Sequence, residues 1–280
     1  MKEKNKKRRA RRLWTLLALV VLLAVYVVTG VIRSEFLEST LISVAVPSQS
    51  GVAGELRVVQ LSDLHSKHYG DNNSELLALV AEKKPDLIVA TGDMIDKDAQ
   101  NVEGCVTLFR QLAQIAPTAF SIGNHEAARR DLTELLTRLT QVGVTVLAGN
   151  VETIHCGGLP VRIGGIMRVS ELPQLDGKGP IDILLCHYPT DPSDFAQRGV
   201  SLVFSGHAHG GQARIPLLDI PLYAHGEGLF PRYTSGLYQE DGVSMIVSRG
   251  LGNTERLGIR IPRLHNPPEI IVADVTFTQF

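Results

Sequence analysis

From about residue 55 onward, short apolar runs alternate with segments in which apolar residues recur every three or four positions. Apolar runs bounded by polar or turn residues predict buried strands. They occupy residues 56–61, 87–90, 118–122, 144–147, 159–166, 181–185, 200–204, 243–248 and 269–277. Helical spacing predicts helices that start at residue 74, cover about 102–116, and start again after residue 131. Strands that alternate with helices, followed by a strand-rich half, predict one α/β domain with two packed sheets.

The predicted helix ends rest on individual residues. Ser74 is the expected N-cap of the first helix, which Pro85 would stop. Asp131 and Glu134 have the spacing of a capping box at the start of the third helix, and Gly143 would close that helix. The helix limits therefore follow from polar and conformational signals rather than from the apolar spacing.

The N-terminal part of the chain has a different pattern. Residues 13–32 contain no charge and are bounded by Arg12 and Arg33. At about 1.5 Å per residue, a helix of this length spans roughly 30 Å, the thickness of the hydrocarbon layer of a bilayer. A cleaved signal peptide would have an apolar region of only about 7–15 residues with a cleavage site close behind it. The run therefore predicts an uncleaved transmembrane anchor.

The charges predict how this anchor is oriented. The formal net charge is −1, but the first twelve residues hold eight Lys or Arg and one Glu, which gives +7. The rest of the chain therefore carries −8, the difference between −1 and +7. Because basic residues stay in the cytoplasm, we expect a single-pass cell-membrane protein with its folded domain on the extracytoplasmic side. The acidic body also disfavours general nucleic-acid binding, which needs a basic face.

The predicted organisation has four parts. They are a basic cytoplasmic tail at 1–12, a transmembrane helix at 13–32, a linker and first strand region at 33–54, and one domain at 55–280. Neither an internal repeat nor a second linker divides the domain. The organisation is therefore one folded domain behind one anchor.

The chain has three cysteines, Cys105, Cys156 and Cys186. Their odd number leaves at least one unpaired, and they lack the spacing of a metal site. We therefore expect all three to be small buried side chains.

Residues that can bind metals or carry protons follow the ends of five predicted strands. In chain order they are Asp63, His65, Asp93, Asn124, His125, His187, His207 and His209. Taken alone, each has an ordinary explanation: Asp63 or Asp93 could cap the next helix, and His187 could be a core histidine. Because the carboxyl ends of strands in α/β sheets open on one crevice, their common placement predicts a single site.

The ligand types indicate the chemistry of this site. Carboxylate, imidazole and carboxamide ligands without thiolate favour divalent ions such as manganese, iron or zinc. Eight residues are too many for one tetrahedral site and favour two ions. Two ions roughly 3.5–4 Å apart clamp a phosphoryl group and lower the pKa of a bound water. The residues therefore predict hydrolysis of a phosphoric ester without a covalent enzyme intermediate.

These residues form an ordered series of motifs: Asp63-x-His65, Gly92-Asp93, Gly123-Asn124-His125-Glu126, His187 and Gly206-His207-x-His209. The series resembles the calcineurin-like metallophosphoesterase superfamily motif for motif. The anchor, residues 206–212, 248–252 and 266–270 resemble its membrane-anchored bacterial branch, the YkuE/YaeI-like proteins. The resemblance covers roughly residues 40–280. It implies a four-layer α/β/β/α sandwich with a dinuclear metal centre over the predicted domain.

The resemblance also implies a role for each residue. The first metal would be held by Asp63, His65 and His209. The second would be held by Asn124, His187 and His207, and Asp93 would bridge the two. His125 matches the family's non-ligand histidine, which contacts the phosphate and can protonate the leaving group, a role that suits an imidazole. The two ions are expected to be manganese, with iron or zinc as alternatives.

Three residues keep open roles. Glu126 could orient His125 or face solvent. The branch leads us to expect an acidic pair near residues 164–168, and its absence leaves Arg168 as a residue that could contact an anionic substrate instead. His225, in a glycine-rich loop, could line the cleft.

The expected reaction is hydrolysis of a phosphodiester, or of a pyrophosphate or phosphomonoester, at the membrane surface. The expected partner is a small-molecule or lipid-linked envelope substrate, bound by a monomer. A nucleotide phosphodiesterase or nuclease is the enzymatic alternative, disfavoured by the acidic body and the lack of aromatic and basic clusters. A catalytically silent membrane scaffold is a further alternative, against which the presence of every ligand and of His125 argues.

Overall fold

The computed structural model describes residues 2–224, 228–253, 255–256 and 259–279. Its α-helices are α1 (Lys2–Arg33), α2 (Ser74–Glu82), α3 (Glu103–Ile115), α4 (Asn124–Ala127) and α5 (Leu132–Gln141). Three 3₁₀ segments lie at Asp71–Asn73, Val169–Leu175 and Pro192–Arg198.

The strands of the first half are β1 (Glu38–Pro47), β2 (Gly54–Leu61), β3 (Leu87–Ala90), β4 (Thr118–Ser121), β5 (Val144–Leu147), β6 (Asn150–Cys156) and β7 (Leu159–Ile166). Those of the second half are β8 (Ile181–Cys186), β9 (Val200–Ser205), β10 (Ala213–Ile215), β11 (Ile220–Ala224), β12 (Gly228–Leu229), β13 (Gly236–Glu240), β14 (Val243–Val247), β15 (Glu255–Arg256), β16 (Ile259–Arg260) and β17 (Glu269–Thr278).

Two six-stranded sheets form the body, in the strand orders β1-β17-β2-β3-β4-β5 and β13-β14-β9-β8-β7-β6. Their inner faces enclose one core, to which Val89 and Phe204 belong. Leu76, Leu112 and Leu139 of α2, α3 and α5 pack on the outer face of the first sheet. The outer face of the second sheet is covered by the 3₁₀ segments, through Leu175 and Phe195. The predicted α/β fold with two packed sheets is confirmed, and its fourth layer consists of short 3₁₀ segments.

The strand directions bring several chain segments to one edge of the first sheet. β2, β3, β4 and β5 are parallel, β17 is antiparallel to β2, and β1 is parallel to β17. The edge where β2, β3 and β4 end is therefore also the edge where β1 begins. We call it the ligand edge, because the predicted metal ligands follow these three strands.

The N-terminal helix α1 continues through both the basic tail and the apolar stretch. Among the described residues it is the one helix long and apolar enough to cross a membrane, and its apolar stretch is almost entirely exposed. The region 33–54 contains β1, which forms the outer strand of the first sheet. α1 therefore leads directly into the folded domain.

The predicted caps of two helices are wrong. Ser74 is the first residue of α2 rather than its cap, and Asn73 precedes it without a capping side-chain hydrogen bond. Asp131 does precede α5, but its carboxylate does not cap the helix. Instead it accepts hydrogen bonds from Nε and Nη2 of Arg129, each at 2.8 Å. A charged partner two residues away thus outcompetes the neutral backbone N–H groups.

The prediction of buried cysteines is confirmed for Cys156 and Cys186 and only in part for Cys105. All three are free, with Cys156 and Cys186 buried and Cys105 half-buried. Each packs as a small apolar side chain.

Candidate metal centre

The structure brings the predicted ligands together in two adjoining groups. The ligand atoms of Asp63, His65 and His209 lie within 4.8 Å of one another, and so do those of Asp93, His187 and His207. Oδ2 of Asp93 lies 3.8 Å from Nε2 of His65 and 3.4 Å from Nε2 of His187. The Asp93 carboxylate therefore stands between the two groups, where a bridging ligand would be needed.

Most of these side chains sit on strained backbone. Left-handed φ angles, between 49° and 65°, occur at five of the seven ligand candidates: Asp63, His65, Asp93, His207 and His209. Residues with a Cβ rarely adopt this region, and such strain gathers at functional sites. It turns each side chain off the end of its strand and into the crevice.

The glycines of the motifs make room for neighbouring ligands. A Cβ at Gly206 would overlap the Ser62 hydroxyl and the Asp63 carboxylate, and one at Gly123 would overlap the Asp93 carboxylate. A Cβ at Gly92 would lie 2.5 Å from the backbone nitrogen of Gly123. Only glycine lets these loops pack so closely.

Two of the histidines are held in a defined tautomer. Nδ1 of His187 donates to the Thr91 carbonyl at 2.7 Å, and Nδ1 of His65 donates to Oδ1 of Asp96 at 3.0 Å. In each ring Nε2 therefore faces the site, and Nε2 of His187 lies 3.1 Å from Oδ1 of Asn124. Hydrogen bonds of this kind orient the histidine ligands of metal sites.

The other two histidines follow β9. The backbone N–H of His207 donates to both carboxylate oxygens of Asp63, at 3.1 and 2.9 Å. Nε2 of His209 lies 3.2 Å from Nε2 of His65, and Arg263 donates to Nδ1 of His209 at 3.2 Å. The loop after β9 is thus locked to the loop after β2.

His125 lies at the rim of the site beside a residue that the sequence analysis missed. Its Nδ1 is 3.5 Å from Oδ1 of Asp96 and 3.3 Å from the backbone nitrogen of Lys97. Its ring contacts the ring of His65 edge-on, with centroids 4.4 Å apart. The signal for Asp96 was its position three residues after Asp93, in the same loop.

Glu126 has neither of the two roles considered for it. Its carboxylate is fully buried and accepts the backbone N–H groups of Asp93, Met94 and Gly123 at 2.8, 2.7 and 2.9 Å. It therefore ties the loop after β3 to the loop after β4, and so fixes the position of Asp93.

Arg168 lies beside the site without touching a ligand candidate. Its guanidinium carbon is 4.9 Å from the ring centroid of Tyr188, and that ring is 3.9 Å from the ring of His207, centroid to centroid. Arg168 is about half-exposed, and Glu171 lies 3.9 Å away. Tyr188 thus separates Arg168 from His207. His225 lies outside the described residues.

The neighbouring carboxylates and imidazoles of the site shift one another's pKa values. Burial would lower the pKa of His187, but the charge of Asp93 outweighs it and raises that pKa to about 9. Burial would raise the pKa of Asp93, but His187 outweighs it and holds that pKa well below its usual range. His207, by contrast, has its pKa lowered to about 4 by burial and by the charge of His187.

The donor set fits a pair of divalent cations. Asp63 and Asp93 are buried carboxylates, and burying a carboxylate is costly unless a cation or several hydrogen bonds accompany it. Oxygen and imidazole donors without thiolate match the ligands of manganese, iron or zinc. The residues present therefore suit the two ions that the motifs predict, with Asp93 between them.

Comparison with known proteins gives the family. The profile of the Calcineurin-like phosphoesterase family matches residues 56–211. The uncharacterized metallophosphoesterase YkuE of Bacillus subtilis (strain 168) is 30% identical over 234 residues, which cover 77% of each chain. Phosphodiesterase YaeI of Escherichia coli (strain K12) is 28% identical over 236 residues, which cover 80% of this chain and 83% of that one.

Solved structures resemble the chain more distantly. TT1561 of Thermus thermophilus has 14% sequence identity and a TM-score of 0.47, over 70% of this chain and 90% of that one. The family profile covers more than half of the chain and includes every predicted ligand and His125. The chain belongs to the calcineurin-like phosphoesterase family of metallophosphoesterases.

Proposed function

We propose that this metallophosphoesterase hydrolyses a phosphodiester at a membrane surface, with two divalent ions, manganese above all. Asp63, His65 and His209 would hold one ion, Asn124, His187 and His207 the other, and Asp93 both. When bound, such a pair supplies Lewis acidity and an activated water for in-line displacement at phosphorus. The observation that carries the proposal is the position of the Asp93 carboxylate, 3.8 Å and 3.4 Å from one histidine of each group.

The chain itself supplies a proton donor. Nδ1 of His125 is engaged by Asp96 and by the Lys97 N–H, so Nε2 is the nitrogen available to a leaving-group oxygen. The side chain is 24% exposed, which a substrate can reach from the crevice. A histidine that is oriented by a carboxylate and faces the substrate suits general acid catalysis.

The preference for a diester rests on similarity and charge. Phosphodiesterase YaeI aligns with 80% of this chain. Outside its first twelve residues the chain carries a net −8, which opposes long nucleic acids as substrates. A small or lipid-linked phosphodiester of the cell envelope meets both conditions.

The membrane location rests on α1. This helix is long and apolar enough to cross a bilayer, and its basic N-terminal residues favour the cytoplasm. The domain would then be extracytoplasmic. α1 also leads into β1 at the ligand edge, so the site would open close to the membrane surface.

The test uses the full chain in lipid nanodiscs loaded with Mn²⁺. Initial rates are compared for bis-p-nitrophenyl phosphate and p-nitrophenyl phosphate, with Asp93→Asn as the inactive variant. Asp98→Asn is the matched control, because Asp98 is an exposed carboxylate five residues along the same loop. We expect preference for the diester, lost in Asp93→Asn and kept in Asp98→Asn. Preference for the monoester would overturn the substrate class, and no turnover by metal-loaded protein would overturn the function.

A further inference from the structure

The last third of α1 is bonded to the folded domain. The Tyr26 hydroxyl donates to the Arg214 carbonyl at 3.0 Å, and the Tyr26 carbonyl accepts from Nε2 of His265 at 3.0 Å. One turn later, the Gly30 carbonyl accepts the backbone N–H of His265 at 3.2 Å. A Cβ at Gly30 would lie 2.9 Å from the His265 ring, so the helix and this loop are in close contact. These contacts fix the height of the domain along the helix.

This height brings part of the domain to the depth of the membrane. Tyr26 precedes Arg33, the first charged residue after the apolar stretch, by seven residues, or about 10 Å along a helix axis. Because the Tyr26 hydroxyl donates to the Arg214 carbonyl, the backbone of β10 lies beside the last third of α1, below the end of the apolar stretch. If α1 crosses a bilayer, β10 and its neighbours are therefore level with the interfacial layer.

The segment at this depth exposes apolar side chains. β10, β11 and β12 form a small separate sheet, and residues 213–224 and 228–230 define what we call the hairpin face. The exposed apolar residues of the hairpin face are Leu217 at 101%, Leu229 at 73%, Leu218 at 66%, Phe230 at 63%, Ile220 at 41% and Tyr223 at 40%. A group of this kind on a protein surface marks an interaction site.

We propose that the hairpin face is inserted in the interfacial layer of the leaflet from which α1 emerges. The occupant of this surface is the lipid bilayer, because the bond from Tyr26 to Arg214 holds the hairpin face beside the apolar stretch of α1. The Arg214 N–H also donates to the Leu264 carbonyl at 3.0 Å, next to the His265 that is bonded to Gly30. At the base of the hairpin face the buried Arg214 guanidinium pairs with Asp219, whose side chain is 66% exposed, at 2.7 Å, so the positive charge of Arg214 has an opposite charge beside it. The inference rests on the membrane anchor of the proposed function and is independent of hydrolysis.

The same contacts turn the candidate metal centre towards the lipid. Asn266, next to His265, donates its backbone N–H to the hydroxyl of Ser34, the residue that follows α1, at 3.2 Å. Its side-chain amide donates to the His209 carbonyl at 2.7 Å. Two residues thus connect the end of α1 to a ligand candidate. The ligand edge therefore faces the membrane, and the substrate class that fits is a phosphodiester in a lipid headgroup.

The test is depth-dependent quenching of a single tryptophan in the full chain. Trp14 is the only tryptophan, so a Trp14→Phe background allows Phe230→Trp and Leu218→Trp to be read alone. Gln141→Trp is the matched control, because Gln141 is exposed at the end of α5, before β5 begins and so opposite the ligand edge. Each variant is placed in nanodiscs of ordinary or brominated phosphatidylcholine.

We expect brominated lipid to reduce emission about twofold or more for Phe230→Trp and Leu218→Trp, because interfacial side chains lie about 5–10 Å deep. Gln141→Trp should keep its emission. Equal emission in both lipids at residues 218 and 230 would overturn the inference. Quenching of Trp14 in the unmodified chain tests separately whether α1 lies in the bilayer. Hydrolysis of a soluble diester tests the proposed function. Failure of the inference can therefore be distinguished from failure of the anchor or of the proposed function.

Discussion

Oδ1 of Asp96 lies 3.0 Å from Nδ1 of His65, so a residue outside the predicted ligand set orients one of its members. Burial would raise the pKa of Asp96, but its hydrogen bonds to His125 and His65 outweigh this and hold it well below its usual range. The carboxylate is therefore ionised at neutral pH. It keeps the proton of His65 on Nδ1 and leaves Nε2 for a metal.

Replacing Asp96 with asparagine should weaken metal binding. The amide keeps the size of the side chain but loses the charge that holds His65, and such changes cost about 10–100-fold in metal affinity. The measurement is Mn²⁺ titration calorimetry on the full chain. Asp98→Asn, an exposed change in the same loop, should bind as the unmodified chain does. If Asp96→Asn binds Mn²⁺ as tightly as Asp98→Asn does, Asp96 does not position His65.

The sequence predicts strand β3 to the residue, and both faces of this strand are buried. Leu87 and Val89 of β3 face the core between the sheets, while Ile88 and Ala90 face the helices. A continuous apolar run is the pattern such a strand requires. β1 was anticipated only as part of the region 33–54, because its burial alternates between half-buried and exposed over most of its length.

The ligand candidates were predictable because each belongs to a short motif after a strand. Their supporting residues were not, because support comes from distant parts of the chain. Asp96 is 31 residues from His65, and Arg263 is 54 residues from His209. No local spacing connects such pairs. The predicted cap at Asp131 failed for a different reason, since the carboxylate pairs with the side chain of Arg129, two residues away, instead of with the backbone of the helix.

Glu126→Gln should destabilise the domain. The buried carboxylate accepts N–H groups of Asp93, Met94 and Gly123, and an amide would direct an N–H of its own at one of them. We expect a loss of about 2–3 kcal/mol in the free energy of unfolding, measured by urea titration of the metal-free chain in mild detergent. The control is Glu134→Gln, which alters an exposed carboxylate 3.7 Å from Arg138. It should change the free energy of unfolding by less than about 1 kcal/mol. Equal effects would contradict the role given to Glu126.

Metal binding should strengthen as pH rises. His187 must be neutral to hold an ion, and in the metal-free chain the Asp93 charge raises its pKa to about 9 against the opposing effect of burial. Below that pH an ion must displace one proton from His187, so affinity should fall about tenfold per pH unit between about pH 8.5 and 6.5. His207, with a pKa of about 4, is already neutral there. Calorimetry in buffers of different ionisation enthalpy measures how many protons are released when the ion binds. A metal affinity that does not change between about pH 8.5 and 6.5 would contradict the prediction.

Gly206→Ala should disable the site. The added Cβ would overlap the Ser62 hydroxyl and the Asp63 carboxylate, so the loop that carries His207 must move. A displacement on the order of 1 Å costs about 100-fold in rate, which initial rates with bis-p-nitrophenyl phosphate would measure. Gly104→Ala is the control, since a Cβ there in α3 meets nothing within 4 Å. Its rate should match that of the unmodified chain, and a similar rate for Gly206→Ala would show that the loop tolerates the change.

His125→Asn should slow hydrolysis according to the leaving group. A general acid contributes about 10²–10⁴-fold when the departing oxygen needs a proton. We therefore expect a loss of this size in kcat for a diester with an alkyl alcohol as leaving group, and a much smaller loss for bis-p-nitrophenyl phosphate, whose phenolate leaves unprotonated.

The control is His155→Asn, because His155 is exposed on β6 and should leave both rates unchanged. Mn²⁺ affinity of His125→Asn should also stay unchanged, since His125 is not among the proposed ligands and asparagine keeps the backbone N–H that donates to Asp93 at 2.7 Å. Equal losses in kcat for the two leaving groups would assign His125 to binding the phosphate instead of protonating the departing oxygen. The ratio of the two losses therefore distinguishes the two roles, because binding acts on every substrate and proton donation only on those that need a proton.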